Sequence, residues 1–165
     1  MASGQAPQGQ TTPKIMSPQA HARTRVAAID LGKARVGIAL SDELALLAHP
    51  RPALDGKSLK ALLSALGDLA REEGIGRFLV GLPLDMRGTE GVAAQRAMRF
   101  CQKLADSTGC EVELVDERLT TVEATRRLKE QGKKGSEIKD AIDSASAAIV
   151  LQQWLDRRGL RRPIR

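Results

Sequence analysis

The sequence predicts an α/β domain built on a mixed five-stranded sheet with helices on both faces. Two short apolar runs at 25–31 and 35–42 lie too close together for a crossover helix, so they form an antiparallel pair. Beyond residue 57, segments with helical periodicity alternate with short apolar runs, which is typical of parallel strands joined by helices. An antiparallel beginning followed by parallel strands gives a mixed sheet.

The first strand, over 25–31, has a β-branched bias and carries Asp30 near its end, before Gly32. We expect a weaker third strand at 44–48, because the sequence His-Pro-Arg-Pro at 49–52 is typical of a strand end. Leucines at helical spacing then predict an amphipathic helix over 57–73, which Gly74 ends.

A buried strand is predicted at 77–83, followed by a polar, glycine-flanked loop at 84–91. The next helix runs to Gly109, and its predicted apolar face is formed by Val92, Arg96, Phe100 and Leu104. The run 111–117 reads as the last strand.

Two helices complete the predicted domain. Thr120 and Glu123 have the spacing of a capping box, so a helix begins there. A final helix is expected over about 136–157, with Ser136 as its cap.

Composition excludes several classes of protein. The chain has 165 residues, only three aromatic residues (Phe78, Phe100 and Trp154) and two cysteines. Base-stacking RNA modules need several aromatic side chains, and disulfide frameworks or Cys-rich zinc sites need more cysteines. No apolar run is as long as a membrane span, and no signal peptide opens the chain, so we expect a cytoplasmic protein without a membrane partner.

The net charge of +6 is unevenly distributed. The polar segment 1–24 reads as a disordered leader with two basic residues, and the end from 157 to 165 holds five arginines, with no acid in either. The domain at 25–157 is therefore nearly neutral, and 158–165 forms a basic tail. Within the domain, 118–139 carries a local charge of +4, which favours a polyanionic partner.

Acidic residues fall at strand ends and near the start of the last helix. Asp30 is near the end of the first strand, Asp116 and Glu117 end the last strand, and Asp140 and Asp143 lie one helical turn apart. Parallel strands open at one sheet edge, where ligands of α/β proteins bind. Clustered carboxylates suit Mg²⁺ or Mn²⁺. A turn cap, a helix-dipole contact and a surface ion pair remain alternative roles for these acids.

Four segments together resemble the RuvX (YqgF) family of bacterial RNase H-like nucleases. They are AIDLGKARVGIALSD at 28–42, FLVGLPLDMRGTEG at 78–91, VDERLTT at 115–121 and IDSASAAIVLQQWL at 142–155. The resemblance covers about 25–157 and implies an RNase H-like fold. Its members are described both as Holliday junction resolvases and as pre-16S rRNA nucleases.

The resemblance also implies a metal centre. The acids of the family fall on Asp30, Glu117 and Asp143, which would bind one or two Mg²⁺ or Mn²⁺ ions and act as the catalytic residues. Asp140 is expected beside this centre, without direct contact to the metal. One position departs from the pattern, because Lys33 stands where the family often has Thr or Ser.

Basic side chains near these acids are candidate nucleic-acid contacts. Arg118 directly follows Glu117, and Arg87 lies in the polar loop. Lys133 and Lys134 belong to a basic Gly-Lys-Lys-Gly segment able to contact a phosphate backbone. A structural ion pair for Arg118 and a solvated surface for the lysines are the alternatives.

The resemblance therefore implies a metal-dependent nuclease, with processing of the 5′ end of precursor 16S rRNA as the first hypothesis and the ribosome as a further candidate partner. Resolution of branched DNA is the second; it requires a dimer, and the sequence leaves the oligomeric state open. A non-catalytic RNA-binding module is a third hypothesis. An actin-like ATPase is less favoured, since such proteins enclose ATP between two domains.

Overall fold

One five-stranded sheet organises the molecule. The computed structural model describes residues 25–32, 34–82, 91–116, 130 and 136–160, with the backbone alone at 82, 116, 136–143 and 160. The elements in chain order are β1 (Arg25–Leu31), β2 (Arg35–Ser41), β3 (Ala48–Asp55), α1 (Leu59–Glu73), β4 (Ile75–Leu82), α2 (Val92–Thr108), β5 (Glu111–Asp116) and α3 (Ser136–Leu160).

The strand pairing confirms the predicted mixed sheet. The strand order is β3-β2-β1-β4-β5. β2 is antiparallel to both β1 and β3, whereas β4 is parallel to both β1 and β5. The C-terminal ends of β1, β4 and β5 therefore lie along one edge of the sheet, called here the C-terminal edge.

The third strand lies further along the chain than predicted. It runs over Ala48–Asp55 and includes both prolines, whereas the prediction was 44–48. β3 is an edge strand, where Pro50 and Pro52 can leave their missing N–H groups unpaired. The residues before it form a turn, in which Asp42 Oδ1 accepts hydrogen bonds from the backbone N–H groups of Leu46 (2.7 Å) and Leu47 (3.2 Å).

The first helix agrees closely with the prediction. α1 begins after Ser58, whose side chain accepts a hydrogen bond from the Ala61 N–H at 3.2 Å. It ends at Gly74, which has the left-handed φ of 68° that glycine adopts most readily. Its buried side includes Leu62, Leu66 and Ala70.

Two apolar cores lie on opposite faces of the sheet. The core under α1 and α2, called here the α1/α2 core, contains large side chains. Its fully buried members include Phe78, Leu66, Ile29, Ile38 and Leu104. The core under α3, called here the α3 core, is smaller. Its buried members are Val26, Ala28, Ala39, Leu79, Ala147, Leu151 and Leu155.

The predicted buried face of α2 is confirmed at Phe100 and Leu104 and wrong at Val92 and Arg96. Its buried residues are Ala94, Ala97, Phe100 and Leu104, whereas Val92 is 85% exposed and Arg96 is also exposed. The small side chains of Ala94 and Ala97 let this helix pack closely against the sheet. Arg96 lies on a side of the helix that stays outside the core.

Several predicted segments lie outside the described residues. They are the leader 1–24, the loop 84–91 apart from Gly91, and the helix expected from Thr120. α3 continues to Leu160, three residues past the predicted domain end at 157. Among the helices that the structure describes, none is both long enough and apolar enough to cross a membrane.

Candidate metal centre at the C-terminal edge of the sheet

A tight turn follows the first candidate acid. Asp30 is half-buried near the end of β1, and Gly32 closes the turn by donating its N–H to the Arg35 carbonyl oxygen at 2.9 Å. A Cβ on Gly32 would lie 2.3 Å from that oxygen, so only glycine permits this close approach. The glycine thereby fixes the end of the strand that carries Asp30.

Asp30 lies on the face of the sheet that α3 covers. Val26 and Ala28 belong to the α3 core, whereas Ile29 belongs to the α1/α2 core. Successive side chains of a strand point to opposite faces. Because Asp30 is two residues past Ala28, it follows the α3 face.

The register places Asp30 level with β5. Ile29 of β1 pairs with Val80 of β4. The next residue of β4, Gly81, pairs with Val115 of β5. Asp30 is therefore level with Gly81 and Val115, and Gly81 has no side chain that would stand between β1 and β5.

α3 is oriented with its N-terminal half toward this edge. The buried Ser144 hydroxyl accepts a hydrogen bond from the Ile38 N–H at 3.4 Å, and Ile38 pairs with Ile29, next to Asp30. Further along α3, Gln152 binds the backbone beside the other end of β2, with Oε1 at 2.9 Å from the N of Ala48 in β3 and Nε2 at 3.1 Å from the O of Leu46 in the turn before it.

The other two predicted acids of the last helix are described by backbone position alone. Asp143 directly precedes Ser144 and lies one helical turn before Ala147, which belongs to the α3 core. Asp140 lies one turn before Ser144 in the same way. Both positions lie in the half of α3 that is nearest to Asp30.

The remaining predicted site residues lie outside the described part of the chain. They are Glu117, Arg118, Arg87, Lys133 and Lys134, together with Lys33. Among the side chains that are described, no group of three His, Cys, Asp or Glu residues could hold a metal ion. The proposed three-carboxylate set therefore stays a prediction.

The cysteines offer no activated nucleophile. Cys101 is half-buried, and this burial raises the pKa of its thiol to about 11, so the reactive thiolate is scarce at neutral pH. Cys110 is buried, with its Sγ at 3.4 Å from the Ile75 carbonyl oxygen. His49 is exposed on the edge strand, far from Asp30 across β2.

Arg96 is a residue of this edge that the sequence analysis missed. Its Nη2 donates to the Gly32 carbonyl oxygen at 3.4 Å, which brings a cation next to the turn after Asp30. The prediction had assigned Arg96 to the apolar face of its helix. Ala97, Phe100 and Leu104 repeat at helical spacing, and this pattern alone would have placed Arg96 outside the core.

A comparison with protein families accounts for this arrangement. A family model described as RuvX, Holliday junction resolvase, matches residues 24–157. The chain belongs to the RuvX family. The match spans every helix and strand named above, apart from the last turn of α3.

Curated relatives match this chain over most of their own length. A protein of Anaeromyxobacter sp. (strain Fw109-5) is 43% identical over 134 residues, which is 81% of this chain and 98% of the relative. A protein of Myxococcus xanthus is 42% identical over 132 residues, or 80% of this chain and 87% of the relative. Both carry the name "Putative pre-16S rRNA nuclease".

Solved structures with little sequence identity confirm the fold class. Thermus thermophilus RuvC in complex with a Holliday junction substrate gives a TM-score of 0.54 at 17% identity, covering 82% of this chain and 96% of RuvC. The fowlpox virus resolvase with its junction DNA gives 0.51 at 8% identity, covering 84% and 99%. This RuvX chain therefore has the RNase H-like fold of these resolvases.

Proposed function

We propose that this RuvX protein is a divalent-metal-dependent nuclease that processes the 5′ end of precursor 16S rRNA. The observation that supports the proposal is that Asp30 and the C-terminal end of β5 lie at the C-terminal edge, toward which the N-terminal half of α3 is oriented. The names of the curated relatives indicate the RNA substrate. Such a substrate agrees with the cytoplasmic location predicted from sequence, and makes the ribosome a candidate partner.

The chemistry of the donor set fits Mg²⁺ or Mn²⁺. Asp30, Glu117 and Asp143 offer only carboxylate oxygens, the ligands that these hard cations prefer. β1 and β5 are second neighbours in the sheet, which separates their backbones by about 10 Å. Carboxylates that extend from both strand ends and from α3 can span this gap with one or two ions.

We expect the acidic residues of the site to hold the metal and the basic residues to bind the substrate. Asp30, Glu117 and Asp143 would hold the cation, and Asp140 would support them from the preceding turn of α3. When bound, the metal supplies Lewis acidity at the scissile phosphate and lowers the pKa of an attacking water. Arg118, Arg87, Lys133 and Lys134 would bind the phosphates of the substrate on either side of the cut.

The lysine pair is tested by the salt dependence of binding. Each lost phosphate contact lowers the slope of log affinity against log salt by about 0.7 for a single strand. Lys133→Ala/Lys134→Ala should weaken RNA binding and reduce the slope in a fluorescence anisotropy titration. An unchanged slope would show that these lysines lie on an ordinary solvated surface.

A second candidate function is Holliday junction resolution, because the matching family model carries that description. A resolvase makes two symmetric cuts and needs two active sites, whereas the proposed RNA cleavage requires one. Sizing chromatography together with cleavage of both substrates separates the two functions. Symmetric cleavage of a four-way junction by a dimer, with precursor rRNA left intact, would replace our proposal by this one.

The proposed function is tested with an isosteric change at Asp30. Precursor 16S RNA labelled at its 5′ end is incubated with Mg²⁺ or Mn²⁺ and the parent protein, and the product ends are mapped on a sequencing gel. Asp30→Asn should lower the cleavage rate at least 100-fold, because it removes a charged metal ligand, while RNA binding without metal persists.

The matched control is Asp55→Asn. Asp55 is an exposed carboxylate at the end of β3, on the same sheet edge, and its Oδ1 accepts the Lys57 N–H at 2.8 Å. An asparagine can keep that bond, so the control should cleave like the parent. Equal cleavage by the parent and Asp30→Asn would contradict the proposed metal centre. RNA binding by the parent without any metal-dependent cleavage would favour the non-catalytic RNA-binding module.

A further inference from the structure

We propose that Arg96 of α2 binds a phosphate of the RNA strand beside the cleavage site, as a substrate-positioning residue. The inference rests on the proposed function for its substrate. Its own evidence is the position of one arginine beside the turn that follows Asp30, on the side of the sheet away from α3.

The contact of Arg96 with the turn is weak and leaves the guanidinium available. The guanidinium carries five N–H donors, and one of them reaches the Gly32 carbonyl oxygen at 3.4 Å. Within the described parts of the chain, Arg96 forms no ion pair and no other hydrogen bond. It is exposed, so the other donors can bind an anion.

The turn itself does not need Arg96. Two short backbone bonds already hold it, from Gly32 N to Arg35 O at 2.9 Å and from Gly56 N to Ala34 O at 2.8 Å. A single exposed hydrogen bond as long as 3.4 Å adds little stability. We infer that the Gly32 carbonyl orients the guanidinium, rather than the guanidinium holding the turn.

The distance to the candidate centre suits a neighbouring phosphate. Gly32 is two residues past Asp30, and two residues of extended chain span about 7 Å, so the guanidinium lies on the order of 10 Å from the Asp30 backbone. A strand whose scissile phosphate lies at Asp30 would bring an adjacent phosphate within reach. Arginine is well suited to such a group, because its fork binds two phosphate oxygens at once.

α2 provides a matched control. The helix starts at the C-terminal edge and runs away from it, so Arg99 lies about 4.5 Å further from the edge along the axis than Arg96. Arg99 is also exposed and has no hydrogen bond or ion pair to any described residue. Replacing either arginine removes one positive charge from the same helix.

The experiment measures binding of a fluorescein-labelled single-stranded RNA in EDTA, at several salt concentrations. Arg96→Ala should weaken binding about tenfold and lower the salt slope by about 0.7, the value for one lost phosphate contact. Arg96→Lys should keep most of the salt slope, because lysine has the positive charge of arginine although it lacks the two-pronged guanidinium. Arg99→Ala should bind like the parent, and the melting temperatures of all variants should agree.

Three results would overturn the assignment. Unchanged affinity and salt slope in Arg96→Ala would show that Arg96 does not contact the RNA. Equal losses in Arg96→Ala and Arg99→Ala would indicate general charge attraction instead of a specific contact. A fall in melting temperature with unchanged RNA affinity would show a structural role instead. Because no metal is present, these outcomes are independent of cleavage, so a failure of the nuclease proposal would be visible separately in the Asp30→Asn assay.

Discussion

The two faces of the sheet are built in different ways. On the face of α1 and α2, the core is filled with large apolar side chains such as Phe78, Leu66 and Leu104. On the face of α3, alanines line much of the contact, and polar groups take part in it. Ser144 binds the Ile38 N–H, and the Trp154 ring N–H donates to Glu113 at 3.2 Å.

The two faces therefore have different roles: one stabilises the sheet, and the other sets the position of α3. Large buried side chains supply most of the hydrophobic free energy, so the α1/α2 core stabilises the sheet. Small residues let α3 approach the strands closely, and specific hydrogen bonds set its position along β2. Asp30 lies on this second face, so we expect the position of α3 to matter most for the candidate site.

The largest loss of stability is expected in the α1/α2 core. Leu66 is fully buried, so Leu66→Ala should lower the free energy of unfolding by about 3 kcal/mol, from lost burial and the cavity left behind. Urea denaturation followed by circular dichroism measures the change. Leu59→Ala on the same helix, at a position that is 38% exposed, is the control and should cost far less. Equal losses would contradict the description of this core.

On the α3 face, we expect replacement of a small buried side chain by a larger one to destabilise the fold. Ala147 is 1% exposed in the α3 core, and Ala147→Leu should cost about 2 kcal/mol by overpacking. Because Asp143 lies one turn before it, cleavage should fall even at temperatures where the variant is fully folded. Gln153→Leu, at an exposed position of the same helix, should change neither quantity. Full cleavage by folded Ala147→Leu would mean that the position of α3 does not govern the site.

A smaller effect is expected from the hydrogen bond under α3. Ser144→Ala leaves the Ile38 N–H without its acceptor and should cost about 1 kcal/mol, a fall of about 3 °C in melting temperature. Ser146 is the control, because its buried hydroxyl has no hydrogen-bond partner in the described chain. Ser146→Ala should leave stability unchanged or raise it, and a larger loss there than at Ser144 would reverse this interpretation.

The smallest effect concerns the turn that α3 contacts at its far end. Hydrogen bonds from the backbone, chiefly the Leu46 N–H, lower the pKa of Asp42 below its ordinary value of 3.8. A lowered folded-state pKa stabilises the fold above the unfolded pKa, and this contribution is lost as pH falls through the folded value. The melting-temperature gap between the parent and Asp42→Asn should therefore shrink from pH 7 to pH 3. A gap that widens on acidification would contradict this sign.

Hydrophobic periodicity was sufficient to predict most of the fold. β1, α1 and β5 lie within one or two residues of their predicted ranges, because each has a clear pattern and a glycine or polar boundary. The third strand was wrong because proline was taken as a stop. On an edge strand, proline is tolerated, and only the sheet order shows which strand is at an edge.

The candidate site was less accessible to this reasoning. Asp30 could be predicted from its place at a strand end, and the structure adds its face and its register with β5. Arg96 could not be found as a site residue, because its role depends on a contact between α2 and a turn 64 positions away in sequence. Glu117 and Asp143 remain predictions, since their side chains lie outside the described part of the chain.

We propose that three carboxylates at the C-terminal edge hold a catalytic divalent cation. It is tested most directly by crystals of the full chain soaked in Mn²⁺, with anomalous difference maps that locate the metal. We expect one or two peaks in contact with Asp30, Glu117 and Asp143, and no such peak in Asp30→Asn crystals. Mn²⁺-dependent cleavage by a protein whose crystals hold the metal elsewhere, or at none of these acids, would contradict it.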